Sequence, residues 1–72
     1  MATDICVALG LRIRKLRKER RWRQIDLAEH AGINVIYISD LEHGKKEACL
    51  RMIQTLAESF NLTVSELMRG IE

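Results

Sequence analysis

Apolar residues recur at intervals of three or four along most of the chain, which is the period of a helix with one buried face. The first such segment runs from Ile5 to about Arg20, and its inward positions are Ile5, Leu9, Ile13 and Leu16. Gly10 lies inside this segment, where glycine costs about 1 kcal/mol relative to alanine. The pattern predicts one long amphipathic helix with a basic outer face.

Two shorter helices follow, separated by a glycine. The first begins near Gln24, directs Leu27 and Ala28 inward and ends at Gly32. Glycine at such a point permits the positive φ that ends a helix in a tight turn. Asn34 is a good N-cap, so the next helix is predicted from Asn34 to His43.

The remaining chain predicts a fourth and a fifth helix. The apolar positions of the fourth helix are Leu50, Ile53, Leu56, Ala57 and Phe60. Thr63 and Glu66 have the T-x-x-E spacing of a capping box, which predicts a fifth short helix. Since no segment shows useful strand alternation, the expected fold is all-α: a compact five-helix domain over residues 1–72.

Composition adds a charge asymmetry to this picture. The net charge is +2, but residues 1–23 carry eight Lys/Arg and two acids, whereas residues 24–72 carry four Lys/Arg and eight acids. A basic end suits a polyanionic partner, although the same residues also fit a solvated helix face. Most of the cations of the first helix are expected to be solvated: Arg12, Arg14, Lys15, Lys18, Arg20 and Arg21.

Other classes of protein find little support in the residues. The spacing of Cys6, Cys49, His30 and His43 matches no zinc-ligand pattern, and no cofactor motif or nucleophile–base arrangement appears. We therefore expect no metal, no cofactor and no enzymatic activity. The two cysteines, the absence of a signal-peptide pattern and the lack of a bilayer-length apolar run favour a reduced protein of the cytoplasm, with no membrane contact.

The segment from residue 24 to residue 43 combines two short helices with a glycine turn. Ala28 is small where the helices would touch, Gly32 supplies the turn, and four apolar residues can lock the helices together: Leu27, Ile33, Ile38 and Leu41. These are the requirements of a helix-turn-helix, whose second helix projects its first turn outward, where it can enter a major groove.

At this point the chain resembles a known family. The pattern "Q..LA..AGI....IS.LE.GKK", with Leu56–Ala57, Asn61 and Glu66–Leu67 beyond it, is similar to the phage repressor and Cro (XRE-like) helix-turn-helix proteins. Within that family the chain looks closest to the controller proteins of restriction–modification systems. The resemblance spans about residues 12–68 and implies a lambda-repressor-like DNA-binding domain whose recognition helix is the third, about residues 34–43.

The resemblance implies a role for individual residues. Base-reading positions fall on Asn34, Val35, Ile36, Tyr37, Ser39 and Asp40. Phosphate-binding positions fall on Gln24, Lys45 and Lys46, to which we add Arg23, an arginine where the family usually has serine or threonine. Arg17 and Glu42 are expected to form a structural ion pair. Controller proteins usually carry arginine and threonine where this chain has Val35 and Ile36, so their base preference does not transfer.

Each of these positions also has a simpler interpretation. Ile36 lies on the outer face of the third helix beside Ser39, Asp40 and His43; it can meet a thymine methyl group, fold back onto Trp22, or contact a partner protein. Asp40 can accept from cytosine N4 or remain a solvated acid. Among the other candidates, Asn34 can cap the helix, Val35 lies near the core edge, Tyr37 can be half-buried, and Trp22 is expected in the core.

The residues and the resemblance together predict a sequence-specific DNA-binding transcriptional regulator. A single recognition helix gives a small footprint, so we expect a homodimer on a palindromic operator with half-sites roughly 34 Å apart. Candidates for its interface are Leu62, Val64, Met68 and Ile71. Such a protein can repress its own gene, and Asp26 and Glu29 are candidates for RNA polymerase contact in an activator. The alternative is an antitoxin-like or other protein-interaction module on the same fold.

Overall fold

The computed structural model describes residues 4–71 and contains five helices in that range, with no strand. They are α1 (Ile5–Glu19), α2 (Gln24–Ala31), α3 (Val35–Glu42), α4 (Leu50–Ser59) and α5 (Val64–Leu67). The predicted all-α fold is confirmed, and the helix boundaries lie within about one residue of those that periodicity and caps indicate. No helix within residues 4–71 has the length and apolar character needed to cross a membrane.

The core lies where all five helices meet. Its fully buried side chains are Ile13, Leu27, Ile38, Leu41, Leu56, Phe60 and Leu67. Burying a side chain of this size stabilises a fold by about 1.5–3 kcal/mol, so this cluster accounts for much of the stability of a small domain. Trp22 is half-buried and stacks between His30 and Phe60, with ring centroids 4.2 and 5.8 Å away.

Two residues that periodicity assigns to the buried face are instead exposed. Ile5 is 55% exposed and Leu50 is 76% exposed. Each is the first residue of its helix, α1 and α4 respectively. The helical stripe continues through these positions in the sequence, but the predicted burial is wrong because the core does not extend to them.

Gly10 brings α1 and α3 into close contact. A Cβ atom at this position would lie 2.3 Å from the carbonyl oxygen of Leu41 and 2.7 Å from that of Glu42. The glycine that looked like a simple helix defect therefore allows the C-terminal turn of α3 to lie directly against α1. This contact helps to set the orientation of α3.

Two arginines, one within α1 and one directly after it, serve as caps for other helices. Arg12 donates to the carbonyl oxygens of Leu67 and Glu66 at 3.0 and 2.8 Å. Arg20 donates to the carbonyl oxygen of Phe60 at 2.7 Å, with its guanidinium carbon 4.8 Å from the centroid of that ring. Unpaired carbonyls at a helix C-terminus favour a cation. These two arginines are therefore engaged within the protein. The other four cations are exposed, which agrees with the expectation that most are solvated: Arg14, Lys15, Lys18 and Arg21.

The short helix α5 has the cap that its sequence predicts. The hydroxyl of Thr63 accepts from the backbone N–H of Glu66 at 3.1 Å, and the Glu66 carboxylate accepts from the N–H of Thr63 at 2.9 Å. A four-residue helix is too short to persist by itself. This reciprocal cap and the buried side chain of Leu67 hold it against the domain.

Candidate nucleic-acid interface

The turn between α2 and α3 fixes the angle between the two helices. Gly32 has φ of +67°, and the N–H of Ile33 donates to the carbonyl of Ala28 at 3.0 Å. The Asn34 side chain then accepts from the N–H of Ile36 at 2.7 Å and caps α3. Ala28 and Ile38 are buried where the helices pack. The geometry is that of a helix-turn-helix with a rigid second helix.

The outer face of α3 carries one large apolar side chain. Ile36 is 68% exposed, and Asp40 and His43 follow it at the i+4 and i+7 positions of the same face. Ser39 lies beside them and is partly buried. Ile36 is not among the side chains packed on the core, whereas Val35 is. The structure therefore presents Ile36 to whatever approaches α3.

A buried ion pair ties α3 to α1. The Arg17 Nε and Nη2 atoms donate to the two carboxylate oxygens of Glu42 at 2.7 and 2.9 Å. The Arg17 Nη1 atom donates to the carbonyl of Trp22 at 2.7 Å. Hydrogen bonding to Glu42 raises the pKa of Arg17 despite the opposing effect of burial. The pairing implied by the family resemblance is thus present, and it connects α1, the following loop and α3.

Gln24 joins the same network at the N-terminus of α2. Its Nε2 atom donates one hydrogen to Glu42 across 3.3 Å. An amide nitrogen carries two hydrogens, so the second remains available for another acceptor. A side-chain donor at a helix N-terminus is well placed for a phosphate.

The cationic candidates around α3 differ in their environments. Arg23 forms an ion pair with Asp26 at 3.1 Å, yet its side chain is 79% exposed. Hydrogen bonding to Asp26 raises the pKa of Arg23. An exposed pair of this kind is worth little, so a phosphate can compete for the guanidinium. Lys45 and Lys46 are exposed in the loop after α3. All three candidates can therefore approach a polyanion.

Tyr37 is already engaged within the protein. Its hydroxyl donates to the carbonyl of Glu47 at 2.8 Å, and its ring packs against the core. The half-buried alternative for this ring is the one that the structure shows. The hydroxyl cannot donate to DNA unless this bond breaks, so Tyr37 is better placed to hold the loop that carries Lys45 and Lys46.

The four candidates for a dimer interface have unequal exposure. Leu62, Met68 and Ile71 are partly buried against the core, whereas Val64 is 37% exposed. The expectation that all four project outward therefore applies to Val64 alone. Leu50, which sequence reasoning placed in the core, lines a shallow groove with Val64, Arg51 and Gln54. Helical spacing gave no signal for this groove, because Leu50 continues the buried stripe of α4.

Within residues 4–71 no group of three or more histidine, cysteine, aspartate or glutamate side chains is arranged to hold a metal ion. Cys6 lies beside an apolar cleft between α1 and the loop before α4. Burial, and secondarily the negative charge of Asp4, raises the pKa of its thiol. Raised thiol pKa values lower the reactivity of a cysteine at neutral pH.

Comparison with known proteins places this geometry in a family. The sequence model described as Helix-turn-helix matches residues 13–67. The chain is 44% identical over 61 residues to the HTH-type transcriptional regulator DdrOP3 of Deinococcus deserti, covering 85% of this chain and 47% of that protein. It is 31% identical over 70 residues to the control protein C.MunI of a Mycoplasma species, covering 96% and 95%. The chain thus spans about half of the first relative and nearly all of the second.

A solved structure supports the same assignment. The restriction–modification controller protein C.AhdI from Aeromonas hydrophila superimposes with a TM-score of 0.83 at 31% sequence identity, covering 86% of this chain and 94% of that one. The match covers most of both chains, so the likeness extends beyond the two-helix motif. The chain therefore belongs to the helix-turn-helix family of DNA-binding transcriptional regulators and repressors.

Proposed function

We propose that the protein is a sequence-specific transcriptional regulator that inserts the N-terminal turn of α3 into the major groove of DNA. The observation that carries the proposal is the 68% exposure of Ile36 on a helix whose other faces are fixed by the core. The opposite end of α3 is held by Arg17 and Gly10. A rigid helix with one exposed apolar side chain is suited to reading the shape and methyl groups of base pairs.

Base recognition on this face would combine apolar and polar contacts. The side chain of Ile36 can bury its methyl groups against the C5-methyl of thymine. Asp40, one turn further along α3, can accept from the N4 amino group of cytosine and is repelled by phosphates, which favours a position facing the bases. Asn34 already uses its side-chain oxygen to cap α3, so we assign it mainly to positioning the helix, with its amide nitrogen left for a contact.

Phosphate contacts would fix the register of α3. Gln24, Arg23, Lys45 and Lys46 are the donors, and they lie just before α2 or at its start, or just after α3. Arg23 would exchange its exposed partner Asp26 for a phosphate. Because each neutralised phosphate releases counterions, binding through these residues must weaken steeply as the salt concentration rises.

We further propose that two copies bind a palindromic operator as a homodimer. The domain measures 34 × 23 × 23 Å, so two copies side by side can place their α3 helices about one helical turn of DNA apart, roughly 34 Å. The groove between Leu50 and Val64 supplies exposed apolar surface for a two-fold contact. The other three candidates are partly buried, so each would contribute less of this surface than Val64: Leu62, Met68 and Ile71. Glutamate substituted for Val64 should give monomers in sedimentation equilibrium, whereas Leu11→Glu, at a residue 57% exposed on α1, should leave dimers intact.

The natural target is the DNA upstream of the protein's own gene, where binding would repress or activate its transcription in the cytoplasm. An activator would in addition present Asp26 and Glu29 of α2 to RNA polymerase. The proposed activity is binding without catalysis. Relatives named as a transcriptional regulator and a phage immunity repressor are consistent with it.

Fluorescence anisotropy tests the proposal by comparing the affinity of the protein for a duplex of this upstream DNA with its affinity for a shuffled duplex of the same base composition. The expected result is tighter binding of the upstream duplex, with a logarithmic salt slope of several units. Equal affinity for both duplexes would contradict sequence-specific regulation. It would shift the assignment of Ile36 to the contact surface for a partner protein, as in an antitoxin-like module.

A further inference from the structure

His43 shares the outer face of α3 with Ile36 and lies at its C-terminal end. It is the C-cap residue and is exposed. Seven residues separate it from Ile36, which is about 10 Å along the helix axis. The major groove is about 12 Å wide. If Ile36 meets the bases, His43 therefore lies at the edge of the groove, where the sugar–phosphate backbone runs.

The hydrogen bonds of His43 determine which ring nitrogen carries a hydrogen. Its Nδ1 atom lies 2.7 Å from the carbonyl oxygen of Ser39. A carbonyl oxygen only accepts, so Nδ1 must be the donor in this bond. In the neutral ring Nε2 then has a lone pair and no hydrogen. A neutral His43 cannot donate to a phosphate, whereas a protonated His43 donates through Nε2–H while keeping its bond to Ser39.

The surroundings of His43 contain charges of both signs. Asp40 lies one turn before it on α3, and Glu42 is neutralised by its buried pair with Arg17. The loop after α3 contributes two cations, Lys45 and Lys46, and one acid, Glu47. From α1, Val7 lies against Gly44. The charged residues nearest to Val7 along the chain are the N-cap Asp4 and Arg12, whose guanidinium donates to carbonyls of α5. From α2, the residue that approaches Glu42 is the uncharged Gln24.

The C-terminus of α3 adds a partial charge that acts on His43 at every pH. Its unpaired carbonyls carry partial negative charge, which stabilises a cation and repels an anion. A phosphate approaching this end of α3 is therefore accepted more readily when His43 is charged. Since the phosphate and the helix end both favour the protonated ring, DNA should draw a proton onto His43.

We propose that His43 is a pH-dependent phosphate contact, taking up a proton on binding and donating Nε2–H to the DNA backbone. This inference rests on the proposed function. Histidine titrates near pH 6.5 when unperturbed. Affinity should therefore be highest at pH 6 and fall as the pH rises to 8, because the DNA-bound state holds the proton more tightly. If DNA raised the pKa of an ordinary histidine by one unit, the affinity would change by about sixfold for each subunit over this range.

The test measures affinity for the upstream duplex at pH 6 and pH 8 across a salt series. The wild type should bind more tightly at pH 6, with a logarithmic salt slope steeper by about 0.9 for each subunit, because one more phosphate is neutralised. His43→Gln should lose both differences while binding the same sequence. His43→Arg, which stays charged, should show the steeper slope at both pH values.

The second histidine of the chain, His30, provides a matched control. It lies on α2, where its ring stacks on Trp22 rather than facing outward from α3. His30→Gln should keep the full pH dependence. A wild-type affinity independent of pH, or a pH dependence that survives in His43→Gln, would overturn the assignment while leaving the sequence preference intact. Loss of preference for the upstream duplex at every pH would instead refute the proposed function. Melting temperatures of each variant separate either result from unfolding.

Discussion

Replacing Gly10 with alanine tests how tightly α1 and α3 are packed. Helix propensity alone predicts a more stable protein, since alanine in a helix interior is favoured over glycine by about 1 kcal/mol. The structure predicts the opposite sign. The added Cβ would lie 2.3 Å from the carbonyl oxygen of Leu41, 2.7 Å from that of Glu42 and 2.9 Å from the Glu42 carbonyl carbon.

The size of the effect follows from these distances. Ordinary contact at a Cβ begins near 3.4 Å, so α1 and α3 must separate by about 1 Å. All three contacts are to backbone atoms, which cannot rotate away as a side chain can. Forcing an extra methyl group into a packed site costs about 1–3 kcal/mol, and a separation of whole helices lies at or above the upper end. After the gain in propensity of about 1 kcal/mol, the free energy of unfolding should fall by about 2 kcal/mol or more.

Urea denaturation followed by the fluorescence of Trp22 measures this change, since the indole stacks on Phe60 of the core. A loss of about 2 kcal/mol should lower the melting temperature by about 8–16 °C. Gly32→Ala is the control. Gly32 has φ of +67°, and a Cβ added there would have no atom within 4 Å, so this variant reports backbone strain without a steric clash. A Gly10→Ala protein that is more stable than the wild type would refute the close packing of α1 on α3.

Three further predictions concern stability and thiol chemistry. Glu42→Ala leaves a buried guanidinium unpaired and should reduce the free energy of unfolding by about 3–5 kcal/mol in urea denaturation; a loss below 1 kcal/mol would contradict this burial. The backbone N–H of Thr63, and secondarily its hydroxyl, hold the pKa of Glu66 below the usual value of 4.5. The stability that this cap adds is therefore complete above pH 4.5 and is lost as the pH falls through the lowered pKa of Glu66. Thermal melts from pH 7 to pH 3 should show a smaller loss for Glu66→Gln, and equal losses would exclude the cap as the cause. Iodoacetamide at pH 8 should modify exposed Cys49 before Cys6, whose thiol pKa is raised, as peptide mass spectrometry can show; faster modification of Cys6 would contradict its burial.

Local rules predict most of the secondary structure of this chain. The α3 cap at Asn34 and the α5 capping box follow from residue types at fixed spacing, and both are present. The turn at Gly32 follows in the same way, because few residues other than glycine adopt positive φ. These features depend on neighbours within four residues, so a single sequence contains the information they need.

Contacts between distant parts of the chain were not predictable in this way. Arg12 caps a helix 55 residues further along, and Arg20 donates to a carbonyl 40 residues away. Periodicity also cannot tell where the core ends, which is why Ile5 and Leu50 appeared buried. Gly10 looked like a defect because its reason, the approach of α3, lies in a different helix.

The candidate interface shows the same division. Spacing within α3 placed Ile36, Asp40 and His43 on one face, and the structure leaves Ile36 exposed there. Sequence could not show that the Tyr37 hydroxyl bonds to Glu47 or that His43 bonds to the Ser39 carbonyl. Which residues contact bases and which contact phosphates depends on the DNA partner, so these assignments stay predictions.

The most direct test of the account combines a change in the protein with a change in the DNA. Each thymine of the upstream duplex is replaced in turn by uracil, which lacks the C5-methyl group, and affinity is measured for the wild type, Ile36→Ala and the control Leu11→Ala. At one position in each half-site, uracil should weaken wild-type binding about fourfold, the value of one buried methyl group. The same uracil should have no effect on Ile36→Ala and its full effect on Leu11→Ala. If no uracil substitution weakens the wild type, or if Ile36→Ala remains as sensitive as the wild type, Ile36 does not read thymine and the central claim is wrong.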